Sequence, residues 1–280
     1  MKDTGTLESK QFYDSTDLLE EAQRYKTSDR FLEILYENFK NSKRLLSVGV
    51  GPRLLTISSG LTEEFYGLDS NKGSIERSKQ FIISWPLYTD DEPFKTEFDF
   101  LKQKGIHPYF NEWKFYVGKI PKGFPERFAG TLDSMLASEL FLHLTNQEVE
   151  DILVMAKKNL RKGGRFVFTT YPSGNPDSLD EKFAELALKV GIERTELIKG
   201  GVINIQRLAR KLKRRENYER RSKYERNREK FWLDLDKVRV FPTEQIENWI
   251  EKSGLNITSK EDVRCGMFPF AYRLVYSLEN

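Results

Sequence analysis

Two stretches, Leu45-Leu46-Ser47-Val48-Gly49-Val50-Gly51 and Phe65-Tyr66-Gly67-Leu68-Asp69, constrain this chain more than any others. An apolar run of strand length breaks into two glycines one residue apart. A helix-like segment follows, and a second apolar run ends on an aspartate eighteen residues after Gly51. A β-α-β unit reads this way when a nucleotide-like ligand lies across the strand ends. The glycines let the backbone turn sharply and approach a ligand where a Cβ would collide. Asp69, at the tip of the second strand, is placed to accept hydrogen bonds from two ribose hydroxyls. Taken singly, the glycines could shape no more than a turn, and Asp69 could cap the helix that follows. Their coupling favours ligand contact.

The flanking pattern extends this unit into an α/β domain. Residues 1–43 read as amphipathic helices, with N-cap signals at Asp14-Ser15-Thr16 and Ser28-Asp29. Helices are expected at about 74–84 and 94–104, the second closed by Gly105. Three further strands are expected at 113–117, 131–137 and 165–171. Thr145 and Glu148 form a capping box for a helix over 149–160, which Arg161-Lys162-Gly163-Gly164 is expected to terminate. From Ser173 to Val240 the β/α alternation stops, with helical stretches at about 178–190 and 203–230. It resumes with a helix over 243–253, capped by Thr243 and closed by Gly254. The last two strands, 257–264 and 271–278, lie too close for a parallel crossover and must pair antiparallel.

Composition closes off several classes of function. The single cysteine, Cys265, excludes an internal disulfide, and the two histidines, His107 and His143, give no metal-binding spacing, so no metal is expected. No apolar run reaches the roughly 18 residues that span a bilayer. Nor does the N-terminus carry an apolar signal region. A soluble cytoplasmic protein is expected. The net charge of +3 hides a segment from Arg207 to Lys230 with twelve Lys/Arg against four Glu, a local +8 that leaves the rest at about −5.

With five β-α units, an insertion, one more helix and a terminal antiparallel pair, the sequence resembles the class I S-adenosylmethionine-dependent methyltransferases. The resemblance rests on Gly49, Gly51 and Asp69, on Gly163-Gly164, and on the run from Asp133 through Glu139 to His143-Leu144. It covers about 40–172 and 241–280. It implies a Rossmann-like doubly wound seven-stranded sheet, mostly parallel with a C-terminal antiparallel strand, plus a helical cap insertion. The organisation is then a single domain over 1–280. N-terminal helices occupy 1–43, the core 44–172 and 241–280, and the cap 173–240. The implied cofactor is S-adenosyl-L-methionine, with S-adenosyl-L-homocysteine as product. Gly49 and Gly51 match the glycines near its methionine portion, and Asp69 matches the ribose-binding acid, with Ser70 beside it. Ser138 and Glu139 match the end of strand four, beside the methyl group. Gly118 and Lys119 stand where the family often has an acid near the adenine. Ser47 stands where an acid is common in the first strand. A dinucleotide-binding domain fits less well, because the third glycine of its fingerprint would be Leu54.

The remaining candidates have more than one reading. His143 could serve as a general base for an oxygen nucleophile or as a packing residue. Glu139 reads equally as a chemical group and as a structural hydrogen-bond partner. Tyr13 and Tyr25 could close over the cofactor or pack within their helices, and Tyr171 and Trp232 are candidate substrate contacts. The resemblance points to methyl transfer to a small, possibly anionic molecule under the cap. Two alternatives are a tRNA or rRNA methyltransferase using 207–230, and a non-catalytic binding protein of this fold. The segment 207–230 could equally be a solvated helix with Glu/Arg pairs. If it is an RNA track, affinity for RNA falls steeply with added salt, and reversing charge at Arg214, Arg215, Arg220 and Arg221 weakens it; filter binding across a salt series checks this.

Overall fold

A computed structural model describes residues 28–51, 54–84, 94–106, 112–119, 123, 126–171, 181–189, 191–197, 202–203, 238–267 and 270–280. The expected helices before residue 28, with Tyr13 and Tyr25, lie outside these residues, as do the basic segment and Trp232.

Helix α1 (Asp29–Phe39) starts at Ser28, whose hydroxyl accepts a hydrogen bond from Phe31 N–H at 3.4 Å. Its Phe31, Leu32, Ile34, Leu35 and Phe39 recur at helical spacing and are all buried. There follow β1 (Ser42–Val48), α2 (Leu55–Gly60), β2 (Thr62–Asp69), α3 (Lys72–Ser84), α4 (Phe94–Gln103), β3 (Glu112–Val117) and β4 (Leu132–Ala137). Then come α5 (Asn146–Asn159), β5 (Leu160–Thr170), α6 (Glu181–Lys189), α7 (Arg194–Leu197), β6 (Val202–Ile203) and β7 (Val238–Arg239). The chain closes with α8 (Thr243–Ser253), β8 (Asn256–Met267) and β9 (Phe270–Glu279).

Seven strands form one sheet in the order β3-β2-β1-β4-β5-β9-β8. Neighbours from β3 through β5 are parallel, and β9 runs antiparallel to both β5 and β8. This is the expected doubly wound sheet with its reversed C-terminal strand. Alternation along the strands divides the core in two. Phe166 and Phe168 of β5 and Leu274, Tyr276 and Leu278 of β9 join α5 and α8 on one face. Val167 and Val275 point the other way, to α1, α2, α3 and α4. Strands with both faces buried are why β1, β2 and β4 read as near-continuous apolar runs.

Three local expectations are corrected. Helix α5 ends at Asn159, and Arg161-Lys162-Gly163-Gly164 lies within β5 rather than capping the helix. The reason is long-range: Gly163 N–H donates to the Asn280 carbonyl at 2.9 Å, and Asn280 N–H donates to the Gly164 carbonyl at 3.1 Å. Asn280 thus holds this stretch in the sheet, where it bulges between Leu160 and Arg165 with Gly163 left-handed at φ 75°. Helix α8 begins on Pro242, not on a Thr243 cap, and the Pro242 carbonyl accepts from Gln245 and Ile246 N–H. The expected helix from 203 does not start there. Instead β6 pairs antiparallel with β7, Val202 opposite Arg239 and Ile203 opposite Val238. Residues 204–237 leave from and return to one place, beside the 3-10 turn Phe141–His143 against which β7 packs.

Gly67 shows how tightly the strand ends are packed. A Cβ there would lie 2.4 Å from the Phe115 ring and 2.9 Å from Val50 Cγ1. Gly67→Ala is expected to destabilise the fold by about 1–3 kcal/mol through overpacking, read from urea unfolding.

Candidate functional site

In this sheet the chain turns outward from the middle: β2 and β3 lie to one side of β1, and β4 and β5 to the other. The loops after β1 and β4 therefore lead to opposite sides, and in sheets of this topology the ligand crevice lies at that switch point, at the carboxyl ends of these strands. Gly49 opens the first loop at φ 71°, with its N–H donating to the Leu68 carbonyl at 2.8 Å. A Cβ on Gly49 would lie 2.8 Å from Leu140 Cδ1, so the two loops touch here. Glycine is required both by the left-handed backbone and by that contact.

Two non-glycine residues among those described have positive φ, Leu54 at 63° and Glu139 at 57°. One lies on the loop after β1 and the other on the loop after β4, flanking the crevice. Such conformations cost about 1–2 kcal/mol each and persist only where surrounding contacts impose them. At Leu54 the side chain is buried, and the N–H donates to Glu97 Oε1 at 3.2 Å. At Glu139 the N–H donates to Thr169 Oγ1 at 2.7 Å. The Glu139 carboxylate accepts from Arg273 Nη1 at 2.6 Å through Oε1 and from the Tyr171 hydroxyl through Oε2. Arg273 is wholly buried, and its guanidinium lies 3.9 Å from the centre of the Phe31 ring.

His143 ends the 3-10 turn that follows Glu139. Phe141 in this turn stacks on Phe168 at 4.5 Å, and Phe168 stacks on Tyr276 at 5.0 Å, which anchors the turn to β5 and β9. Desolvation lowers the His143 pKa to about 4, against a smaller upward pull from the Glu139 charge. The imidazole is therefore neutral at pH 7 and can accept a proton, though it holds one weakly.

Asp69 ends β2, partly buried, and its Oδ1 accepts from Asn71 N–H at 2.7 Å. Its carbonyl accepts from Gly118 N–H at 2.9 Å, which joins the ends of β2 and β3. Ser70 beside it is exposed. A Cβ on Gly118 would lie 2.7 Å from Gly123 Cα, so this loop folds back on itself. Lys119 Nζ pairs with Glu148 Oε1 at 3.0 Å, at the capping box that opens α5. Ser47 is buried in β1 opposite Gly67 and Leu136. Ser138 Oγ, just past β4, is buried without a hydrogen-bond partner among the described residues.

Thus Ser47, Gly49, Gly51, Asp69, Ser70, Gly118, Lys119, Ser138, Glu139, His143 and Tyr171 all lie at or next to the carboxyl ends of β1 to β5. Arg273, Thr169 and Glu97 are additions that sequence reasoning missed. Arg273 gives no signal because an arginine in a terminal strand reads as solvent-facing. No group of three potential metal-ligating side chains occurs among the described residues.

No family model and no curated protein sequence matches the chain. Solved structures do. A Rhodobacter sphaeroides protein assigned as a Zn-dependent alcohol dehydrogenase is 12% identical, with a TM-score of 0.57, over 98% of this chain and 99% of that one. A SAM-dependent methyltransferase from Methanosarcina mazei is 9% identical, with a TM-score of 0.52, over 91% and 98%. Magnesium protoporphyrin IX methyltransferase from Synechocystis PCC 6803, solved with bound SAM, is 10% identical, with a TM-score of 0.51, over 98% of each chain. Together with the reversed β9 between β5 and β8, the two methyltransferase likenesses show the fold: a Rossmann-like methyltransferase fold.

The desolvated, partly buried imidazole has a consequence for stability. An unfolded chain protonates His143 near pH 6.5, whereas the folded chain resists until about pH 4, so stability from this group is lost as pH falls between those values. The stability difference between wild type and His143→Gln is expected to shrink by on the order of 2 kcal/mol from pH 7 to pH 4, read from unfolding at each pH.

Proposed function

We propose that this chain transfers the methyl group of S-adenosylmethionine to a small molecule. The observation that carries this reading is the sheet order, with its switch point between β1 and β4 and its reversed β9, and with Gly49 and Asp69 at the strand ends beside that point. The residues fit the cofactor. Ser138 has a buried hydroxyl without a hydrogen-bond partner among the described residues, and Asp69 presents a carboxylate at the end of β2. In this reading Asp69 receives the ribose hydroxyls, with Ser70 beside it. Gly49 and Gly51 bring the backbone close to the methionine portion, with Ser47 beneath, and Gly118 and Lys119 border the adenine.

When bound, the cofactor supplies a methyl carbon already activated by the adjoining sulfonium. The chain's own task is then alignment of the substrate and exclusion of water. Ser138 and the Glu139 turn border the reacting centre. The Glu139 carboxylate, with Arg273 and Tyr171 on its oxygens, fixes that turn. His143, neutral and close by, receives the proton of a substrate that must lose one. Tyr171 is a wall of the site rather than a mobile contact, because it is buried and its hydroxyl is committed to Glu139. The insertion 173–240 caps the substrate, with Trp232 and the N-terminal Tyr13 and Tyr25 as further contacts. Its basic stretch suits an anionic substrate.

Titration calorimetry with S-adenosylmethionine and S-adenosylhomocysteine tests this. Wild type is expected to bind both, and Asp69→Ala to weaken each by about 10–100-fold, the worth of a charge-assisted hydrogen-bond pair. Failure of wild type to bind either would sink the reading. Binding without methylation of any small molecule, together with salt-sensitive RNA affinity, would favour an RNA substrate.

A further inference from the structure

Glu97 is the one carboxylate in the described structure that is completely buried. It comes from α4, outside the β-α-β unit that forms the crevice, yet it reaches into that unit. Its Oε1 accepts from Leu54 N–H at 3.2 Å and its Oε2 from Ile57 N–H at 3.4 Å. These amides lie on either side of the point where the loop after β1 becomes helix α2. Leu54 is the N-cap of that helix, makes no side-chain cap of its own, and is left-handed at φ 63° and ψ 2°. A glycine would adopt this conformation without penalty; a leucine adopts it at a cost of about 1–2 kcal/mol. The carboxylate therefore stands where the loop is least able to hold its own shape. It is itself fixed: Phe94, Phe100 and Leu101 of α4 are buried, and the Phe94 ring packs 4.4 Å from that of Phe81.

We propose that Glu97 is a positioning residue for the cofactor, acting through the loop Gly49–Leu54 without touching the ligand; this rests on the methyltransferase reading above. By holding the Leu54 and Ile57 amides together, the carboxylate fixes the start of α2, the anchor nearest in sequence after the Gly49 and Gly51 backbone. Its loss frees Leu54 to relax toward ordinary backbone angles, and the glycines move with it. Glutamine at 97 replaces one accepting oxygen with an amide NH2 group facing a backbone N–H, so Glu97→Gln breaks the clamp at nearly constant volume.

The test compares wild type, Glu97→Gln and Asp133→Asn in calorimetric titration with S-adenosylmethionine and S-adenosylhomocysteine, at a temperature where unfolding shows all three folded. Asp133 is the control: it accepts from Lys43 and Arg44 N–H at 3.1 and 2.8 Å, at the opposite, amino-terminal edge of the same strands. Glu97→Gln is expected to lose about 10-fold or more in affinity for both ligands, the worth of roughly one charged hydrogen bond, while Asp133→Asn binds as wild type. Unchanged affinity in Glu97→Gln overturns the proposal. So does a parallel loss in both variants, which would mark Glu97 as a general contributor to folding. Should Glu97→Gln not fold, amide exchange in the wild type decides: Leu54 and Ile57 N–H are expected to be protected in the free protein and more so with S-adenosylhomocysteine bound. Free exchange at these amides overturns it. No binding by wild type removes the methyltransferase reading itself, a result distinct from any of these.

Discussion

The ion pair between Arg273 and Glu139 ties three distant parts of the chain to one point. Arg273 comes from the terminal hairpin, Glu139 from the turn after β4, and the guanidinium lies over Phe31 of the first described helix. A guanidinium with no exposed surface is tolerated only with a close counter-charge, because removing either partner would strand the other at a cost of about 3–5 kcal/mol. The left-handed backbone at Glu139 places the carboxylate to meet it, and Thr169 and Tyr171 of the β5 end complete the arrangement. The reversed strand β9 is thus more than a filler between β5 and β8. It carries the charge that fixes the loop at the centre of the crevice.

The sheet was legible because its determinants are local and periodic. Strand-length apolar runs, glycines at the first turn and the Thr145–Glu148 capping box all depend on residues close in sequence, and each forms as expected. The positions of the candidate residues were legible for a related reason: parallel strands end on one edge of the sheet, so residues just past the strands fall on that edge together. Arg273 and Glu97 were not legible. Each lies in an element that reads as amphipathic, where a charged residue is assigned to water by default. Tertiary partners, among them a carboxylate in one case and two backbone amides in the other, make their burial possible. The stretch 161–164 misled for the same reason. Its glycines look like a helix stop, but Asn280, distant in sequence, binds them into a bulge of β5.

The two left-handed residues show what sequence can and cannot say about strain. A third glycine is missing from the loop after β1, and the sequence reading took this as a mark against dinucleotide binding. The structure adds that Leu54 still adopts the glycine-like conformation. The Leu54 amide is held there by Glu97 of the neighbouring helix α4.

The short ladder between β6 and β7 has a consequence of a different kind. Because Val202–Ile203 and Val238–Arg239 lie side by side, the chain between them is a closed excursion whose ends the core already holds together. Lengthening such an excursion is cheap, about 0.6 kcal/mol for each doubling of its length. A change of length between residues 203 and 238 therefore weighs little on the main sheet, whose seven strands pair without β6 and β7.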